Sequence, residues 1–379
     1  MKTKPLSPTA KLLGDLIKIP SVNPQGSPGT SQTGEQEIAT YIADFLKKVG
    51  GDVSLKTIEL GRPNLIAVFS TSNKRPKRRV LFAPHLDTVS VSNMTVDPFD
   101  PLIKGGKLYG RGSSDTKGPM AAMLIALKDF FQRPRQNYNT EFTFAGLMGE
   151  EAGNLGAIAH AKTCPKYDLA IVGEPTDLRI VHAHKGTLWL RIITKGRACH
   201  ASMPQEGENA IDMMSEVLRY LKEDLSNILE SKTDRYLRTS TLNISTISGG
   251  SKINIVPDCC TLEVDFRLVP AFSHRAFIST LRQALKAIDK TIKIEIIGDC
   301  PGLYLDPQHP MISLILPATK GISVAPWFCD ASIYAQKKIP AVALGPGSIK
   351  QAHTSNEHIR LSALEAGTRC YSKILNLLA

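Results

Sequence analysis

The chain has 379 residues, of which 42% are hydrophobic and 21% are charged, a composition typical of a globular protein long enough for two domains. No run of 18 apolar residues occurs and the N-terminus lacks the apolar segment of a secretory signal, so we expect neither a membrane protein nor an exported one. Seven cysteines without a CxxC pair predict free thiols in a cytoplasmic protein.

The formal net charge of +11 is compatible with a nucleic-acid partner. The densest basic run lies between two strand-like segments and comprises Lys74, Arg75, Lys77, Arg78 and Arg79. No aromatic residue interleaves with it, as a surface for base stacking would require. We therefore predict a solvated hairpin turn here, and no nucleic-acid partner.

Helical and strand-like patterns alternate along most of the chain. Residues 7–19 and 34–50 have the apolar spacing of amphipathic helices. Apolar strand-like runs then alternate with helical segments, with strands predicted at 79–83, 142–148, 169–172 and 341–344 and helices at 117–131, 154–163 and 361–378. This alternation predicts an α/β domain whose sheet is mostly parallel and has helices on both faces.

Residues 185–298 follow a different pattern. Strands and helices are predicted there in the order β-α-β-β-α-β, with strands at 187–194, 240–250, 259–269 and 291–298 and helices at 209–229 and 274–288. The order is that of a ferredoxin-like unit. We therefore predict an α/β domain of residues 1–184 and 299–379, interrupted by an inserted domain of residues 185–298.

Candidate ligands follow four of the predicted strands: His85, the pair Glu150 and Glu151, Glu174, and, after a glycine loop, His353. In open α/β sheets, sites form outside the carboxyl ends of the strands. A further carboxylate, Asp115, lies in the glycine-rich loop "GRGSSDTKG" just before a helix. Together these positions predict one site at one edge of the sheet.

Two imidazoles and three carboxylates suit Zn²⁺ or a neighbouring divalent ion, and the candidate ligands are His85, Asp115, Glu151, Glu174 and His353. Three carboxylates are too many for a closed structural zinc site. They fit a centre of two ions roughly 3.5–4 Å apart, with one carboxylate bridging. We expect two divalent ions, with Zn²⁺ preferred and Co²⁺ or Mn²⁺ as alternatives.

Two further acidic residues have predicted roles beside the metals. Asp87 lies two residues after His85 on an extended chain, so its carboxylate is placed to accept the second ring N–H of that histidine. A capping role in a turn is the alternative. Glu150 adjoins the ligand Glu151, and a free glutamate beside metal-bound water is the usual general base.

Seven motifs resemble one family in order along essentially the whole chain: "PHLDT", "GKLYGRGSSDTKG", "GEEAG", "VGEPT", "GRACHAS", "NIVPDCCTLEVDFR" and "GPGSIKQAHTSNEHI". The chain resembles the zinc-dependent amidohydrolase and exopeptidase family of acetylornithine deacetylase, succinyl-diaminopimelate desuccinylase, aminoacylase and glutamate carboxypeptidase. Each motif alone is weak, but their order along the chain is specific.

The resemblance implies roles for individual residues. Asp115 would bridge the metals, with His85 and Glu174 in one site and Glu151 and His353 in the other. It also implies a cis peptide at Asp115–Thr116 and dimerisation through the inserted domain, which would act as a lid.

Further substrate contacts follow from the same resemblance. It implies that His200, Asn254 and Arg267 contact the substrate, although Asn254 could be a turn residue and Arg267 part of a strand-face salt bridge. The backbone donors of Gly345 and Gly347, with Arg267, could hold a substrate carboxylate.

The function implied is hydrolysis of the amide bond of an N-acyl amino acid by a metal-bridged hydroxide, with Glu150 as general base. The segment "GPGSIKQAH" favours an acetylornithine deacetylase-like activity in arginine biosynthesis, whereas "FCDAS" at 328–332 is closer to the carboxypeptidase branch. A carboxypeptidase, a dipeptidase and a succinyl-diaminopimelate desuccinylase are the alternatives with the same chemistry. A non-catalytic metal-binding scaffold is a more distant one.

Overall fold

The computed structural model of the protein describes residues 5–25, 30–70, 76–133 and 138–379. The chain forms two compact units. The main unit comprises Met1–His182, Leu305–Ser323 and Cys329–Ala379, and the inserted unit comprises Ala183–Tyr304 and Val324–Phe328.

The helices and strands are numbered here in chain order. The α-helices are α1 (Pro8–Ile17), α2 (Gln36–Val49), α3 (Lys117–Phe131), α4 (Leu155–Thr163), α5 (Ala210–Lys222), α6 (Asp224–Glu230), α7 (His274–Ile288), α8 (Pro310–Ile315), α9 (Ala331–Gln336) and α10 (Leu361–Leu378). The strands are β1 (Asp52–Glu59), β2 (Arg62–Phe69), β3 (Arg78–Ala83), β4 (Leu102–Lys104), β5 (Lys107–Tyr109), β6 (Thr140–Gly146), β7 (Leu169–Val172), β8 (Ile180–His184), β9 (Gly186–Lys195), β10 (Thr241–Gly249), β11 (Cys259–Leu268), β12 (Lys293–Cys300), β13 (Leu303–Tyr304), β14 (Ile322–Ala325), β15 (Ala341–Ala343) and β16 (His358–Arg360).

The large sheet has the strand order β1-β2-β6-β3-β7-β15-β8-β13, with β14 paired to β8. The four central strands, β6, β3, β7 and β15, are mutually parallel, and the outer pairings are antiparallel. These central strands are short, apolar and buried, as expected when helices cover both faces. The predicted mixed α/β architecture is confirmed.

Alternation along the central strands separates the two faces of this sheet. Val80 and Phe82 belong to the core that includes the apolar faces of α1, α2, α3 and α10, whereas the intervening Leu81 is buried outside that core. Helices α4 and α9 pack against each other and against the sheet, α4 on β1 and β2 and α9 on β7 and β15. Helices therefore cover both faces of the sheet, and the carboxyl ends of its parallel strands are the places where a site can form.

The inserted unit has the predicted order of elements, β9-α5-α6-β10-β11-α7-β12. Its sheet is antiparallel throughout in the order β10-β11-β9-β12, which is the ferredoxin-like arrangement. Alternate residues of β11 are buried, and they face a core shared with α5 and α7. The single helix predicted at 209–229 is divided at Glu223 into α5 and α6.

The inserted unit is wider than the predicted range of 185–298. It begins at Ala183, within β8, and continues to Tyr304 because β12 and β13 extend beyond residue 298. A short later segment, Val324–Phe328, also belongs to it.

The predicted hairpin turn at the basic run is wrong, because β6 lies between β2 and β3 in the sheet. Lys74 and Arg75 lie outside the described residues. Arg78 Nη1 donates to the carbonyl of Leu378 at 2.9 Å, and Arg79 pairs with a glutamate of β6. At least these two cations therefore serve in contacts within the fold.

In the described part of the chain, every helix is too short or too polar to cross a membrane.

Two helical glycines differ sharply in the space around them. A Cβ at Gly367, in α10, would lie 2.5 Å from Pro346 Cγ, whereas a Cβ at Gly14, in α1, would meet only Pro101 Cγ at 3.8 Å. Gly367→Ala should therefore destabilise the protein by about 1–3 kcal/mol through overpacking. Gly14→Ala, the matched control, should be neutral or stabilising by up to about 1 kcal/mol. Urea unfolding measures both, and equal stabilities of the two variants would contradict this packing account.

Candidate metal centre

The predicted ligands lie at one edge of the large sheet. β6, β3 and β7 are parallel neighbours, and each is followed closely by an acidic or histidine side chain: His85 after β3, Glu150 and Glu151 after β6, and Glu174 after β7. Leu147 pairs with His85 in an isolated bridge beyond the strand ends. Strand order thus brings together residues that are distant in the sequence.

Asp115 stands between two histidines. Its Oδ1 lies 3.1 Å from His85 Nε2, and its Oδ2 lies 3.4 Å from His353 Nε2. Glu151 Oε2 lies 3.1 Å from the same nitrogen of His353. One donor atom from each of His85, Asp115 and Glu151 lies within 4.8 Å of the others. The Asp115–Thr116 peptide is cis, as the resemblance implied.

Two carboxylate oxygens in this cluster lack a partner that would compensate their negative charge. Glu151 Oε1 and Glu174 Oε1 are buried and have no hydrogen-bond partner. A buried carboxylate oxygen without a hydrogen-bond donor costs desolvation energy, and coordination to a divalent cation offsets that cost. Imidazole nitrogens and carboxylate oxygens are ligands that Zn²⁺, Co²⁺ and Mn²⁺ all accept. The residues present therefore fit a bound metal.

The pKa values of these groups reflect the same excess of negative charge. Burial, reinforced by the charge of Asp115, raises the pKa of Glu151 to about 7 and that of Glu174 well above its ordinary value. Burial also raises the pKa of Glu150 well above its ordinary value, despite the nearby His85. Without cations, protons thus take over part of the neutralisation.

Asp87 holds the backbone that carries the two adjacent glutamates. Its Oδ1 accepts a hydrogen bond from the Glu150 N–H at 3.0 Å, and its Oδ2 accepts from the Glu151 N–H at 3.0 Å and from Asn23 Nδ2 at 2.8 Å. The atom of Asp87 nearest to His85 Nδ1 is the main-chain oxygen, at 3.0 Å, with Oδ1 at 3.4 Å. The contact expected between these two side chains is therefore made mainly through the carbonyl.

Glu357 holds the loop of Asp115 in a similar way. Its Oε1 accepts from the N–H groups of Ser114 and Asp115 at 2.8 and 3.0 Å, and its Oε2 accepts from the Gly112 N–H at 3.0 Å. The buried Arg111 guanidinium pairs with Oε2 at 2.7 Å. This carboxylate was missed because it acts on the backbone of a loop far away in the sequence.

His353 approaches from the solvent side of the cluster. Its side chain is 55% exposed, compared with 1% for His85. The residue adopts a left-handed backbone conformation (φ 61°), and its carbonyl accepts a hydrogen bond from Asn93 Nδ2 at 3.3 Å. Asn93 Oδ1 in turn accepts from Arg111 Nη2 at 3.1 Å. Arg111 therefore supports the loops of both Asp115 and His353.

Asp330 is a further buried carboxylate that was not assigned to the site. It accepts a hydrogen bond from Asn154 Nδ2 at 2.9 Å, and burial raises its pKa to about 7. Its charge also contributes to the raised pKa of Glu150 and of Glu174. Asp330 belongs to the segment "FCDAS", whose resemblance to the carboxypeptidase branch concerns the substrate and gives no sign of a buried carboxylate.

The two glycines predicted to bind substrate serve the packing of the loop before His353. The Gly345 N–H donates to Thr176 Oγ1 at 3.1 Å, so the structure does not support a free backbone donor there. Gly347 has a φ of 90°, and a Cβ on it would lie 2.9 Å from Ser114 Oγ. Glycine at 347 is therefore required by conformation and by space.

Within the inserted unit, His200 and Asn254 lie on adjacent loops. The Ala201 N–H donates to the Asn254 carbonyl at 3.1 Å. The ring of His200 is exposed, and its Nδ1 accepts from the Ser202 N–H at 3.2 Å. In the neutral ring the proton is therefore on Nε2, which leaves that N–H free to donate to a ligand.

Arg267 lies elsewhere in the inserted unit. Its Nη2 pairs with Asp265 Oδ2 at 2.9 Å and its Nη1 donates to Thr187 Oγ1 at 2.9 Å, so the strand-face salt bridge considered as its alternative is present. It lies near the end of β11, whereas Asn254 precedes the start of that strand. The length of β11 separates the two residues by on the order of 25 Å.

Comparisons with known proteins agree with this architecture. Residues 182–293 match the family of the peptidase dimerisation domain, and residues 64–175 match peptidase family M28. An acetylornithine deacetylase of Photorhabdus laumondii is 30% identical over 98% of this chain and 97% of its own length. One from Proteus mirabilis is also 30% identical, over 94% of this chain and 92% of its own length.

Solved structures share the fold over nearly the whole chain. An M20 family metallo-carboxypeptidase of Sulfolobus solfataricus superposes with a TM-score of 0.79 at 19% identity, covering 98% of this chain and 99% of its own. A Bacillus subtilis protein described as a dinuclear metal binding peptidase from the M20 family gives a TM-score of 0.69 at 15% identity, covering 97% and 96%.

Zn²⁺ binding to the metal-free protein should release protons at pH 8. Hydrogen bonds to Asp115 and Glu151 raise the pKa of His353 to about 10, so its ring is protonated at pH 8 and must lose that proton to bind a metal. We expect about one proton or more to be released per chain, and the affinity for Zn²⁺ to fall as the pH falls. Isothermal titration calorimetry in two buffers of different ionisation enthalpy measures the release, and His353→Ala should reduce it. Identical binding enthalpies in both buffers would contradict the assignment.

Proposed function

Because this chain belongs to the M20 family of metallopeptidases and deacylases, which hydrolyse amide bonds with the help of bound metal, we propose that it removes the acyl group from an N-acyl amino acid. The observation that carries this choice of substrate is the likeness to two acetylornithine deacetylases over at least 94% of the chain. N-acetylornithine is the substrate of first choice, which would place the enzyme in arginine biosynthesis.

We propose that these residues would hold two divalent ions, with Asp115 shared between them, His85 and Glu174 completing one site, and Glu151 and His353 completing the other. The two oxygens of Asp115 face different histidines, which supports the bridging role. Zn²⁺ is the preferred ion, and Co²⁺ or Mn²⁺ would suit the same ligands. When bound, such ions lower the pKa of water and polarise a carbonyl group.

Glu150 is the proposed general base. It takes a proton from the attacking water and returns it to the leaving amine. The two oxygens of Asp87 accept separate hydrogen bonds from the N–H groups of Glu150 and Glu151. The carboxylate of Glu151 contacts His353, so Glu150 is the glutamate of the pair that remains available for proton transfer. Its burial raises its pKa, so it retains a proton more readily than an exposed glutamate would.

We propose that His200 donates its Nε2–H to the substrate carbonyl oxygen, where negative charge develops. Asn254, Arg267 and Gly347 are proposed as further substrate contacts. An N-acyl amino acid is shorter than β11. Asn254 and Arg267 of one inserted unit lie at opposite ends of that strand and therefore cannot both contact the same substrate molecule. We therefore propose a homodimer in which each active site uses residues of both chains, in keeping with the match to a peptidase dimerisation domain.

The cysteines support a cytoplasmic location. All seven are free, as expected for a protein in a reducing compartment.

A carboxypeptidase, a dipeptidase and a succinyl-diaminopimelate desuccinylase remain the alternatives with the same chemistry, and a non-catalytic metal-binding scaffold is the more distant one. The solved structures that share the fold include an aminopeptidase from Bacillus cereus, with a TM-score of 0.76 at 20% identity and 98% coverage of both chains. At that identity the likeness concerns the fold, so the substrate must be decided by assay.

The protein loaded with Zn²⁺, Co²⁺ or Mn²⁺ should hydrolyse N-acetylornithine faster than N-succinyl-diaminopimelate, folyl-glutamate or dipeptides. Glu150→Gln should keep its metal content but lose about 10²–10⁴-fold in kcat, because the amide cannot accept the proton. Glu151→Gln, the matched control, should lose metal as well. Metal analysis and steady-state kinetics measure both variants.

Near-normal turnover by Glu150→Gln would remove that residue from its role. Inactivity of the wild type on every substrate with every metal would favour the scaffold.

A further inference from the structure

We infer that Glu35 and Arg62 form a buried ion pair that positions the general base Glu150 by holding the backbone of Gly149. The inference rests on the proposed role of Glu150 and adds two positioning residues to it. Neither residue was singled out from the sequence, because neither belongs to a motif with metal-ligand or catalytic spacing.

The pair has bidentate geometry and is fully inside the main unit. Arg62 Nε donates to Glu35 Oε2 at 2.8 Å, and Arg62 Nη2 donates to Glu35 Oε1 at 2.8 Å. The two side chains are 5% and 0% exposed. Glu35 Oε1 also accepts a hydrogen bond from the Gly149 N–H at 3.2 Å, so the same oxygen joins the ion pair to the residue just before the base.

Four consecutive N–H groups around the base are held by side chains. The Met148 N–H donates to Asn64 Oδ1 at 3.0 Å, the Gly149 N–H donates to Glu35, and the two N–H groups that follow donate to Asp87. This segment follows the end of β6 and lies outside helices and strands, so these donors have no regular ladder to join. The direction of the Glu150 side chain is therefore set by three side-chain acceptors.

Stability alone is a weak explanation for the pair. Burying two charges costs desolvation energy, and replacing such a pair by apolar residues is often neutral or stabilising. The guanidinium also borders Gly149 closely, because a Cβ built on that glycine would lie 3.3 Å from Arg62 Nη2. The pair thus defines both the hydrogen bond and the space at the residue next to the base.

Replacing the whole pair separates positioning from stability. The double variant Glu35→Met with Arg62→Met removes both buried charges together. Glu59, which pairs with Arg62 Nη1 at 2.6 Å, has a side chain 40% exposed to water, so we expect a Tm near that of the wild type. The Gly149 N–H loses its acceptor, so kcat on N-acetylornithine should fall about 10- to 100-fold with little change in KM. Hydrogen exchange at residues 148–151 should become faster, with unchanged metal content.

Two single variants of Glu35 separate the effect on Tm from the effect on kcat. In Glu35→Gln the amide oxygen can still accept from Gly149 but Arg62 keeps a buried, partly unmatched charge, so Tm should fall while kcat stays within about threefold of the wild type. Glu35→Asp keeps the charge but withdraws the oxygen from Gly149, so it should lose kcat even if the double variant fails to fold.

The matched control is Arg79→Met with Glu141→Met. It removes a partly buried pair with an Nε–Oε1 distance of 2.9 Å at the other end of β6, and it should leave kcat unchanged.

The outcomes are distinct. The inference is overturned if kcat stays within about twofold of the wild type in both the double variant and Glu35→Asp. It is also overturned if the variants lose kcat only in proportion to the metal that they lose. If the wild type hydrolyses none of the substrates, the proposed function fails by itself. Exchange at 148–151 in the double variant then decides the positioning claim: faster exchange supports it and unchanged exchange overturns it.

Discussion

Mutual repulsion among buried carboxylates is the constraint on which the rest of the site depends. One edge of the large sheet gathers six acidic side chains around two imidazoles: Asp87, Asp115, Glu150, Glu151, Glu174 and Asp330, with His85 and His353. Such a cluster cannot be fully ionised in a low-dielectric interior without compensating positive charge. Protons supply part of that charge in the metal-free chain, and divalent cations supply it in a working hydrolase of this family. Metal binding and the integrity of this edge are therefore expected to be coupled.

Three acidic groups, one of which is Asp87 of the same cluster, fix the backbone of the loops around the site. Asp87, Glu357 and Glu35 each accept hydrogen bonds from backbone N–H groups of the loops that carry the candidate ligands and the proposed base. Loops lack the repeated hydrogen bonds of helices and strands, so a fixed acceptor at each N–H substitutes for them. The parallel strands bring the loops to one edge, and these carboxylates then fix the direction in which each loop points its side chain.

The sequence predicted the elements with strong periodicity very well. The helices at 117–131 and 361–378 and the strand at 169–172 have the observed bounds, because their apolar patterns are long or bounded by clear breaks. The clustering of the candidate ligands was predictable because each follows a strand or a glycine loop. The order of the strands in the sheet was not predictable. β6 lies between β2 and β3, and local sequence patterns carry no information on pairing between distant strands. The roles of Glu35 and Glu357 were also hidden, since they act on backbone groups far along the chain.

Diffraction from crystals grown with Zn²⁺, recorded at the zinc absorption edge, tests the central claim most directly. Two anomalous peaks about 3.5–4 Å apart are expected, with Asp115 between them, His85 and Glu174 on one ion and Glu151 and His353 on the other. Zinc bound elsewhere on the protein, with this edge of the sheet left without an anomalous peak, would contradict the account.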